Sequence, residues 1–350
     1  MAEAVLPYLQ RIDEARWYSN FGPLLSEFEA GLAGRFREGT QVVTVANATQ
    51  ALTLALMAMD LPPAGYVAMP AWTFVATAHA VAQAGLKPWL VDVDPVSGML
   101  EPAAVLALSR DLKREVAAVI PVCAFGDVSG LARWRAFAHA TGVPVLVDAA
   151  AAFDTLNDAR LPAVVSLHAT KALGVGEGGF LATEDAALAA RVRKLTTFGF
   201  QGSREAQVVA TNAKLSEYAA AVGLAALDSW PGDRLRWMRA AQMLRIALIG
   251  RPEVTFQGGW GSEWITSVCT VGLPAGSRRR VVEWLSAAGV ETRAWWGKGC
   301  HREPAFQDCR REVLPVTERL AESTLGLPFF LDMDAEEIAR IAGALEAALG

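Results

Sequence analysis

The sequence between residues 163 and 179 reads Ala163-Val-Val-Ser166-Leu-His-Ala-Thr-Lys171-Ala-Leu-Gly-Val-Gly-Glu-Gly-Gly179. Its β-branched start predicts a buried strand, and its glycines predict a loop that leaves the strand. A single lysine, Lys171, lies in this loop next to a threonine. Partial burial there would lower its pKa and leave more free amine at neutral pH. Lys171 is therefore a candidate nucleophile that forms a Schiff base with an aldehyde cofactor, and a solvated surface lysine is the alternative.

Composition limits the classes of protein that fit this chain. The 350 residues are 53% hydrophobic, and this length exceeds what one core usually supports, so two domains are predicted. The net charge of -5 gives no basic surface for nucleic acid or an anionic membrane. The N-terminal residues lack a basic signal-peptide region and no long apolar run follows, which favours the cytoplasm. The four cysteines form no CxxC pair and no ligand spacing with the four histidines, so neither a metal site nor a disulfide framework is expected.

Short apolar runs alternate with alanine- and leucine-rich stretches through the first two thirds of the chain. The predicted strands are Gln41 to Val45, Tyr66 to Met69, Pro88 to Val93, Val116 to Val122, Val143 to Asp148, Ala163 to Leu167 and Gly179 to Ala182. The predicted helices between them are Thr49 to Met59, Val75 to Gln83, Pro102 to Leu108, Gly130 to His139 and Glu184 to Leu195. This alternation predicts an α/β fold with a mainly parallel sheet, whose ligands bind at the carboxyl ends of the strands.

A different pattern follows Asn212. A long helical region is predicted from Leu215 to Ile249, interrupted near Pro231-Gly232. A smaller α+β segment follows, with a strand at Thr266 to Val271 and helices at Arg279 to Ala288 and Asp334 to Leu349. We therefore predict a large domain over residues 1–235 and a small C-terminal domain over residues 236–350.

Asp148 ends an apolar strand, and a carboxylate buried there without a partner would cost several kcal/mol. It should therefore face a cation. The pyridinium nitrogen of a bound cofactor qualifies, because a protonated ring nitrogen makes the ring an electron sink. A helix cap or a metal ligand is the alternative reading of Asp148.

Three further segments are compatible with such a cofactor. The strand end at Val45 runs into a helix whose free amides and Thr49 hydroxyl are suited to a phosphate. The loop from Pro70 to Thr77 holds Trp72 and Phe74, either of which could stack on a planar ring, although aromatic residues more often pack in the core. The third segment, residues 211–217, is the start of a capped helix.

Together these segments resemble the DegT-type (StrS-like) sugar aminotransferases, which depend on pyridoxal 5'-phosphate (PLP), in family order over nearly the whole chain. Ser19-Asn-Phe-Gly-Pro23 is similar to the family's N-terminal signature. The most specific match is Ser166-x4-Lys171 followed by Gly176-Glu-Gly-Gly179. The resemblance implies the fold type I of aspartate aminotransferase, with a mainly parallel seven-stranded sheet and a smaller C-terminal α+β domain.

The resemblance also implies roles for individual residues. Lys171 would carry the cofactor as a Schiff base and move protons, Asp148 would hold the ring nitrogen, and Phe74 would stack on the ring. The cofactor phosphate would bind to Ala48, Thr49 and Ser166, and to Asn212 of a neighbouring subunit. This last role implies a homodimer with shared active sites.

Four positions depart from the family pattern. The family usually has Gln or His at the position of Ala151, where the side chain bonds the ring hydroxyl of the cofactor. Cys123 replaces a usual His, Ala48 a usual Gly and Lys214 a usual Arg. Ala151 cannot make this hydrogen bond, and its loss would change the electronic properties of the cofactor ring by about 1 kcal/mol unless a water molecule substitutes.

The substrate end is indicated mainly by composition. Trp295, Lys298 and His301 combine apolar faces with hydrogen-bond donors, which suits a sugar and a diphosphate but also suits a domain interface. The resemblance implies transfer of an amino group from an amino acid, L-glutamate, to a keto sugar of a nucleotide-linked deoxysugar.

Other functions remain open at this stage. Some relatives are sugar dehydratases in which histidine replaces the lysine, and Lys171 argues against that activity. Ala151 and Cys123 suggest a non-catalytic PLP-binding sensor or partner protein. A nucleotide-binding dehydrogenase is disfavoured because no GxGxxG motif follows the early strands.

Overall fold

The structure is a computed structural model that describes residues 2–350. The strands are β1 Gln41–Val45, β2 Tyr66–Pro70, β3 Lys87–Val91, β4 Val116–Val119, β5 Val147–Asp148, β6 Ala163–Ser166, β7 Gly179–Thr183, β8 Thr255–Phe256, β9 Cys269–Gly272, β10 Arg310–Arg311 and β11 Thr324–Leu327. The α-helices are α1 Ala2–Ala15, α2 Pro23–Ala33, α3 Ala48–Ala58, α4 Ala76–Gln83, α5 Pro102–Leu106, α6 Leu112–Glu115, α7 Leu131–Thr141, α8 Ala186–Leu195, α9 Glu217–Ala247, α10 Arg278–Ala287, α11 Pro315–Ser323 and α12 Ala335–Leu349.

The central sheet contains all seven predicted strands. Two four-stranded groups, β1-β7-β6-β5 and β10-β3-β2-β4, are joined by parallel bridges from Val119 to Val145 and from Val122 to Asp148. Strand β7 runs antiparallel to both β1 and β6, whereas β2, β3, β4, β5 and β6 pair in parallel. The predicted α/β fold with a mainly parallel sheet is confirmed.

Helices cover both faces of this sheet, which explains why its strands are apolar on both sides. Alternate residues of one strand point to opposite faces, so Val42 joins the core packed by α2, α7 and α9, while Val43 joins the core packed by α3 and α8. Ala163, Val164 and Val165 of β6 are likewise fully buried and alternate between the two cores. The alternation fixes the strand register, because a slip by one residue would exchange the two cores.

The predicted interruption near Pro231-Gly232 is wrong, because α9 is one helix of 31 residues. The Ser216 hydroxyl caps its start by accepting from the backbone N–H of Ala219 at 3.1 Å. Trp230 and Trp237 are buried on one side of the helix, on either side of the proline. This burial offsets the single hydrogen bond that Pro231 cannot make. Residue 235 lies inside α9, and the division into two domains there stays a prediction.

The C-terminal segment contains a smaller antiparallel sheet in the order β11-β9-β8, packed beneath α10 and α12. Its central strand begins at Cys269, three residues after the predicted start at Thr266. The residues before it leave the sheet and contact loops of the large sheet. Across residues 2–350, none of the helices combines the length and apolarity that a membrane crossing requires.

Candidate active site

The predicted site residues converge because several strands end at one edge of the central sheet. Strand β1 ends at Val45 and β6 ends at Ser166, while the antiparallel β7 begins at Gly179. The pairing register sets Val45 and Ser166 on either side of Gly179. Strand β5 ends at Asp148 on the same edge, next to β6. The loop after β6 carries Lys171, so one edge collects the carboxylate, the amine and the start of α3.

Lys171 lies in a tight loop between β6 and β7. Its backbone N–H donates to the carbonyl of His168 at 2.8 Å, and the N–H of Ala169 donates to the carbonyl of Gly176 at 2.7 Å. A Cβ at Gly174 would lie 2.8 Å from the carbonyl oxygen of Ala169, so this close approach requires glycine. Burial lowers the pKa of Lys171, and the negative charge of Asp148 partly counteracts that effect.

Asp148 is buried, with 5% of its surface exposed. Its Oδ2 accepts from the Thr77 hydroxyl at 2.8 Å, and its Oδ1 accepts from the Ala150 N–H at 3.1 Å. Burial raises the pKa of Asp148, while these two hydrogen bonds and the charge of Lys171 oppose the rise. Both oxygens thus meet donors, but no lysine, arginine or histidine among residues 2–350 forms a salt bridge with the carboxylate. Such a group favours a cation placed beside it.

The start of α3 provides an anion site. The Asn47 side chain accepts from the N–H of Gln50 at 2.8 Å, which caps the third helical residue. The amides of Ala48 and Thr49 precede the first residue that a helical bond can reach, so they remain available. A Cβ at Gly179 would lie only 2.5 Å from the Ala48 nitrogen, so glycine lets β7 pass against this helix end. Ser166 pairs with Gly179 on the other side of β7 and is buried, and its hydroxyl accepts from the N–H of His168 at 3.2 Å.

These three features fit PLP. The carboxylate suits a protonated ring nitrogen, the amine of lowered pKa suits the aldehyde, and the positive end of α3 suits the phosphate. The structure therefore brings Lys171, Asp148, Ala48, Thr49 and Ser166 to one edge. Their individual roles stay predictions.

Phe74 and Asn212 lie near this edge but are exposed. The carbonyl oxygen of Phe74 lies 3.2 Å from the Thr77 hydroxyl, whose proton goes to Asp148, and 55% of Phe74 is exposed. Asn212 lies next to the end of β1, because the N–H of Ala46 donates to the carbonyl of its neighbour Ala213 at 2.7 Å. The Asn212 side-chain oxygen accepts from Lys214 Nζ at 2.5 Å. Ring stacking by Phe74 and a role for Asn212 in a second subunit stay predictions.

The three predicted substrate residues differ in accessibility. Trp295 is half-buried against Gly326, and Lys298 is exposed. His301 is only 4% exposed, its Nε2 lies 3.6 Å from a carboxylate oxygen of Glu318, and burial lowers its pKa. His301 therefore offers little surface to a ligand in this arrangement.

The segment that carries these residues packs against the same sheet edge. The N–H of Cys300 donates to the carbonyl of Ala71 at 2.9 Å, directly after β2. The Trp296 ring stacks on Phe125, two residues after Cys123, with 4.1 Å between centroids. Trp296 and Phe125 thus form an aromatic wall beside the loops that follow β2 and β4.

The sequence analysis missed two residues that contact the candidate active site, Thr77 and Ser267. Thr77, at the end of the loop that holds Trp72 and Phe74, donates to Asp148; a threonine one helical turn after Thr73, following a strand end, was the available signal. Ser267 donates to the carbonyl of Thr170 at 2.5 Å, beside Lys171. Nothing in the local sequence signals this contact, because the two residues are 97 positions apart.

Comparison with known proteins identifies the family. A profile of the DegT/DnrJ/EryC1/StrS aminotransferase family matches residues 1–346. The UDP-2-acetamido-2-deoxy-3-oxo-D-glucuronate aminotransferase of Pseudomonas aeruginosa is 30% identical over 335 residues, which cover 93% of this chain and 90% of that protein.

Solved structures agree with this match. A structure from Bacillus cereus, assigned as a PLP-dependent aminotransferase, superposes with a TM-score of 0.92 at 28% identity and covers 99% of this chain and 97% of its own. The structure of DesI with its TDP-sugar product has a TM-score of 0.87 at 35% identity and covers 99% of this chain and 90% of its own. The predicted fold type I and the PLP cofactor are confirmed at this level. The chain belongs to the DegT/DnrJ/EryC1/StrS family and is a PLP-dependent aminotransferase.

Proposed function

We propose that this enzyme transfers an amino group from L-glutamate to a keto sugar of a nucleotide-linked deoxysugar. The observation that carries the proposal is the pairing of Lys171, an amine of lowered pKa, with Asp148, a buried carboxylate that has no salt-bridge partner among residues 2–350. Transamination requires both groups at opposite ends of one cofactor ring.

Asp148 keeps the ring nitrogen protonated in this proposal. Its two hydrogen bonds, from Thr77 and Ala150, orient the carboxylate and favour its ionised form. When bound, PLP supplies an electron sink for negative charge that develops on a substrate carbon.

Lys171 Nζ accepts and returns the proton that moves during the amino transfer. A lowered pKa leaves its amine neutral over more of the physiological range, which general base catalysis requires. The amides of Ala48 and Thr49, with the Ser166 hydroxyl, hold the phosphate so that the ring keeps its position relative to Lys171.

Two observations support a nucleotide-linked keto sugar as the amino acceptor: the substrates for which relatives are named, and the aromatic wall beside the sheet edge. One relative is named for a UDP-linked oxo sugar, and DesI was solved with a TDP-sugar. Trp295 packs against Ala124 and Phe125 and is half-buried, and Lys298 is exposed, which suits a sugar face and a diphosphate. We also propose a cytoplasmic homodimer in which Asn212 completes the phosphate site of the other subunit.

Mass spectrometry tests the function directly. The purified enzyme with PLP is incubated with L-glutamate and a panel of keto sugar nucleotides, and products are read for the mass change from ketone to amine. Borohydride treatment and peptide mapping should place the cofactor on Lys171. A label on another lysine, or absence of aminated product from L-glutamate with every acceptor in the panel, would contradict the proposal.

Ala151 and Cys123 favour a second candidate, a PLP-binding relative that no longer turns over. Cys123 is buried beside Asp148, and both burial and that negative charge raise its pKa, so it provides no charged or basic group to the site. In that case L-glutamate would leave the visible absorbance of the bound cofactor unchanged. Bleaching by glutamate supports the aminotransferase instead.

A further inference from the structure

His168 begins the turn that leads to Lys171, and its two ring nitrogens face different groups. Nδ1 accepts from the backbone N–H of Thr170 at 3.2 Å and lies 2.9 Å from the Thr170 hydroxyl. Nε2 lies 3.5 Å from a carboxylate oxygen of Glu177. Because Nδ1 accepts a backbone hydrogen bond, the neutral imidazole carries its proton on Nε2. The two nitrogens therefore make separate contacts, which different substitutions can remove.

The two peptide groups that precede Lys171 are both held by hydrogen bonds. The first joins Ala169 to Thr170, and its N–H donates to His168 Nδ1. The second joins Thr170 to Lys171, and its N–H donates to the His168 carbonyl at 2.8 Å. The carbonyl of this second group accepts from the Ser267 hydroxyl at 2.5 Å. These contacts fix the direction in which the Lys171 side chain leaves the backbone.

The Lys171 amine depends on this backbone for its position. Within residues 2–350, Lys171 Nζ has no hydrogen-bond partner and no salt bridge, and Asp148 affects its pKa only through its charge. A shift of about 1 Å in a reacting group can lower a rate by about 10²-fold. An acceptor that holds the turn is therefore suited to control how well the amine performs proton transfer.

We propose that His168 is a positioning residue, whose Nδ1 holds the turn that aims the Lys171 amine for proton transfer. The inference rests on the proposed function. In this role His168 acts through the backbone N–H of Thr170. The contact has the pattern of an Asx turn, in which an Asn side chain accepts from the N–H two residues later. Asn at position 168 therefore supplies the acceptor of Nδ1, whereas Gln supplies an amide only near the position of Nε2.

Amide hydrogen exchange of the apoprotein tests the contact without the cofactor. The Thr170 amide should be protected in the wild type and in His168→Asn, because its N–H keeps an acceptor. In His168→Gln its exchange should be about tenfold faster or more. NMR of protein labelled with 15N-threonine measures the exchange. An exchange rate in His168→Gln equal to that of the wild type overturns the inference.

The rate at which L-glutamate bleaches the visible band of the holoenzyme tests the consequence. His168→Gln should lower the maximal rate roughly tenfold and leave the apparent affinity for glutamate unchanged, because only the position of the amine changes. His168→Asn should stay within about twofold of the wild type. His139→Gln is the matched control, at an exposed histidine near the end of α7, and should have the wild-type rate.

The pair of variants separates positioning from packing. The His168 side chain is 44% exposed, so both variants should fold, which circular dichroism checks. His168→Ala, which lacks both nitrogens, provides the same test if His168→Gln does not fold. Equal slowing by Asn and Gln would show a packing role and overturn the inference, as would a full rate in His168→Gln or an equal loss in the control.

Failure of the proposed function has a different signature. In that case the wild type forms no visible band and borohydride leaves Lys171 unlabelled. The exchange of the Thr170 amide in the apoprotein still reports on His168 Nδ1, because that measurement requires no cofactor. A normal band and labelled Lys171, combined with variants that change neither exchange nor rate, would instead contradict the positioning role alone.

Discussion

The sheet edge that holds Lys171 and Asp148 differs in construction from the segment at residues 293–302 that carries Trp295 and Lys298. The first is built from strand ends whose register is fixed by two buried cores. The second is an irregular chain held by a few backbone hydrogen bonds and by ring stacking of Trp296 on Phe125. In the proposed function, the chemical step depends on groups fixed by the sheet, whereas acceptor choice depends on a loop that can vary with little effect on the sheet.

The largest effect is expected for Lys171→Ala. Without the amine, both attachment of the cofactor and proton transfer are lost, so kcat/KM should fall by on the order of 10⁴-fold or more. Steady-state kinetics with glutamate and the best acceptor measure this loss, and circular dichroism checks the fold. Lys113→Ala, at an exposed position on α6, is the control and should retain full activity. Substantial turnover by Lys171→Ala would mean that the sheet edge is not the reaction centre.

Asp148→Asn should have the next largest effect. The amide cannot hold a pyridinium, so kcat should fall by on the order of 10²-fold. The substitution also removes the negative charge that raises the pKa of Lys171 against the effect of burial. The pKa of Lys171 should therefore fall further, and the apoprotein should react with an aldehyde probe at lower pH than the wild type. A probe titration unchanged in Asp148→Asn would show that the two side chains are not electrostatically linked.

Elements fixed by their own local sequence could be predicted, whereas elements that depend on packing by distant residues could not. The bounds of β1 agree with the sequence because its valines alternate between two cores and Asn47 caps the next helix. The continuity of α9 through Pro231 could not be predicted, since it depends on burial of Trp230 and Trp237 by other elements. Local chemistry determined the first outcome and tertiary packing the second.

The site divides in the same way. Lys171 and Asp148 were predicted because their types are unusual at apolar strand ends, and the structure brings them to one edge. Burial of His301 against Glu318 could not be predicted, because it depends on how the loop folds over α11.

Thr77→Val should have a smaller effect on the sheet edge. The substitution keeps the side-chain volume but removes the hydroxyl that donates to Asp148 Oδ2 at 2.8 Å. A hydrogen bond to a charged group contributes about 1.5–3 kcal/mol, so kcat should fall by roughly tenfold. Because this hydrogen bond lowers the pKa of Asp148, its loss raises that pKa, and the acid limb of the kcat profile should move to higher pH. A fall in kcat without movement of the acid limb would assign Thr77 a packing role only.

Trp296→Ala should have the smallest effect on kcat and should separate the two regions. Trp296 stacks on Phe125 and meets Trp72 edge-on, with 5.5 Å between centroids. Loss of an aromatic contact of about 1 kcal/mol should raise KM for the acceptor roughly fivefold. The half-reaction with glutamate alone should keep its rate, because Lys171 and Asp148 are untouched. Trp284→Ala, at a half-exposed position on α10, controls for general effects of removing a tryptophan. If Trp296→Ala slows the glutamate half-reaction as much as the full reaction, then the aromatic wall supports the sheet edge itself, and the loop and the edge are one structural unit.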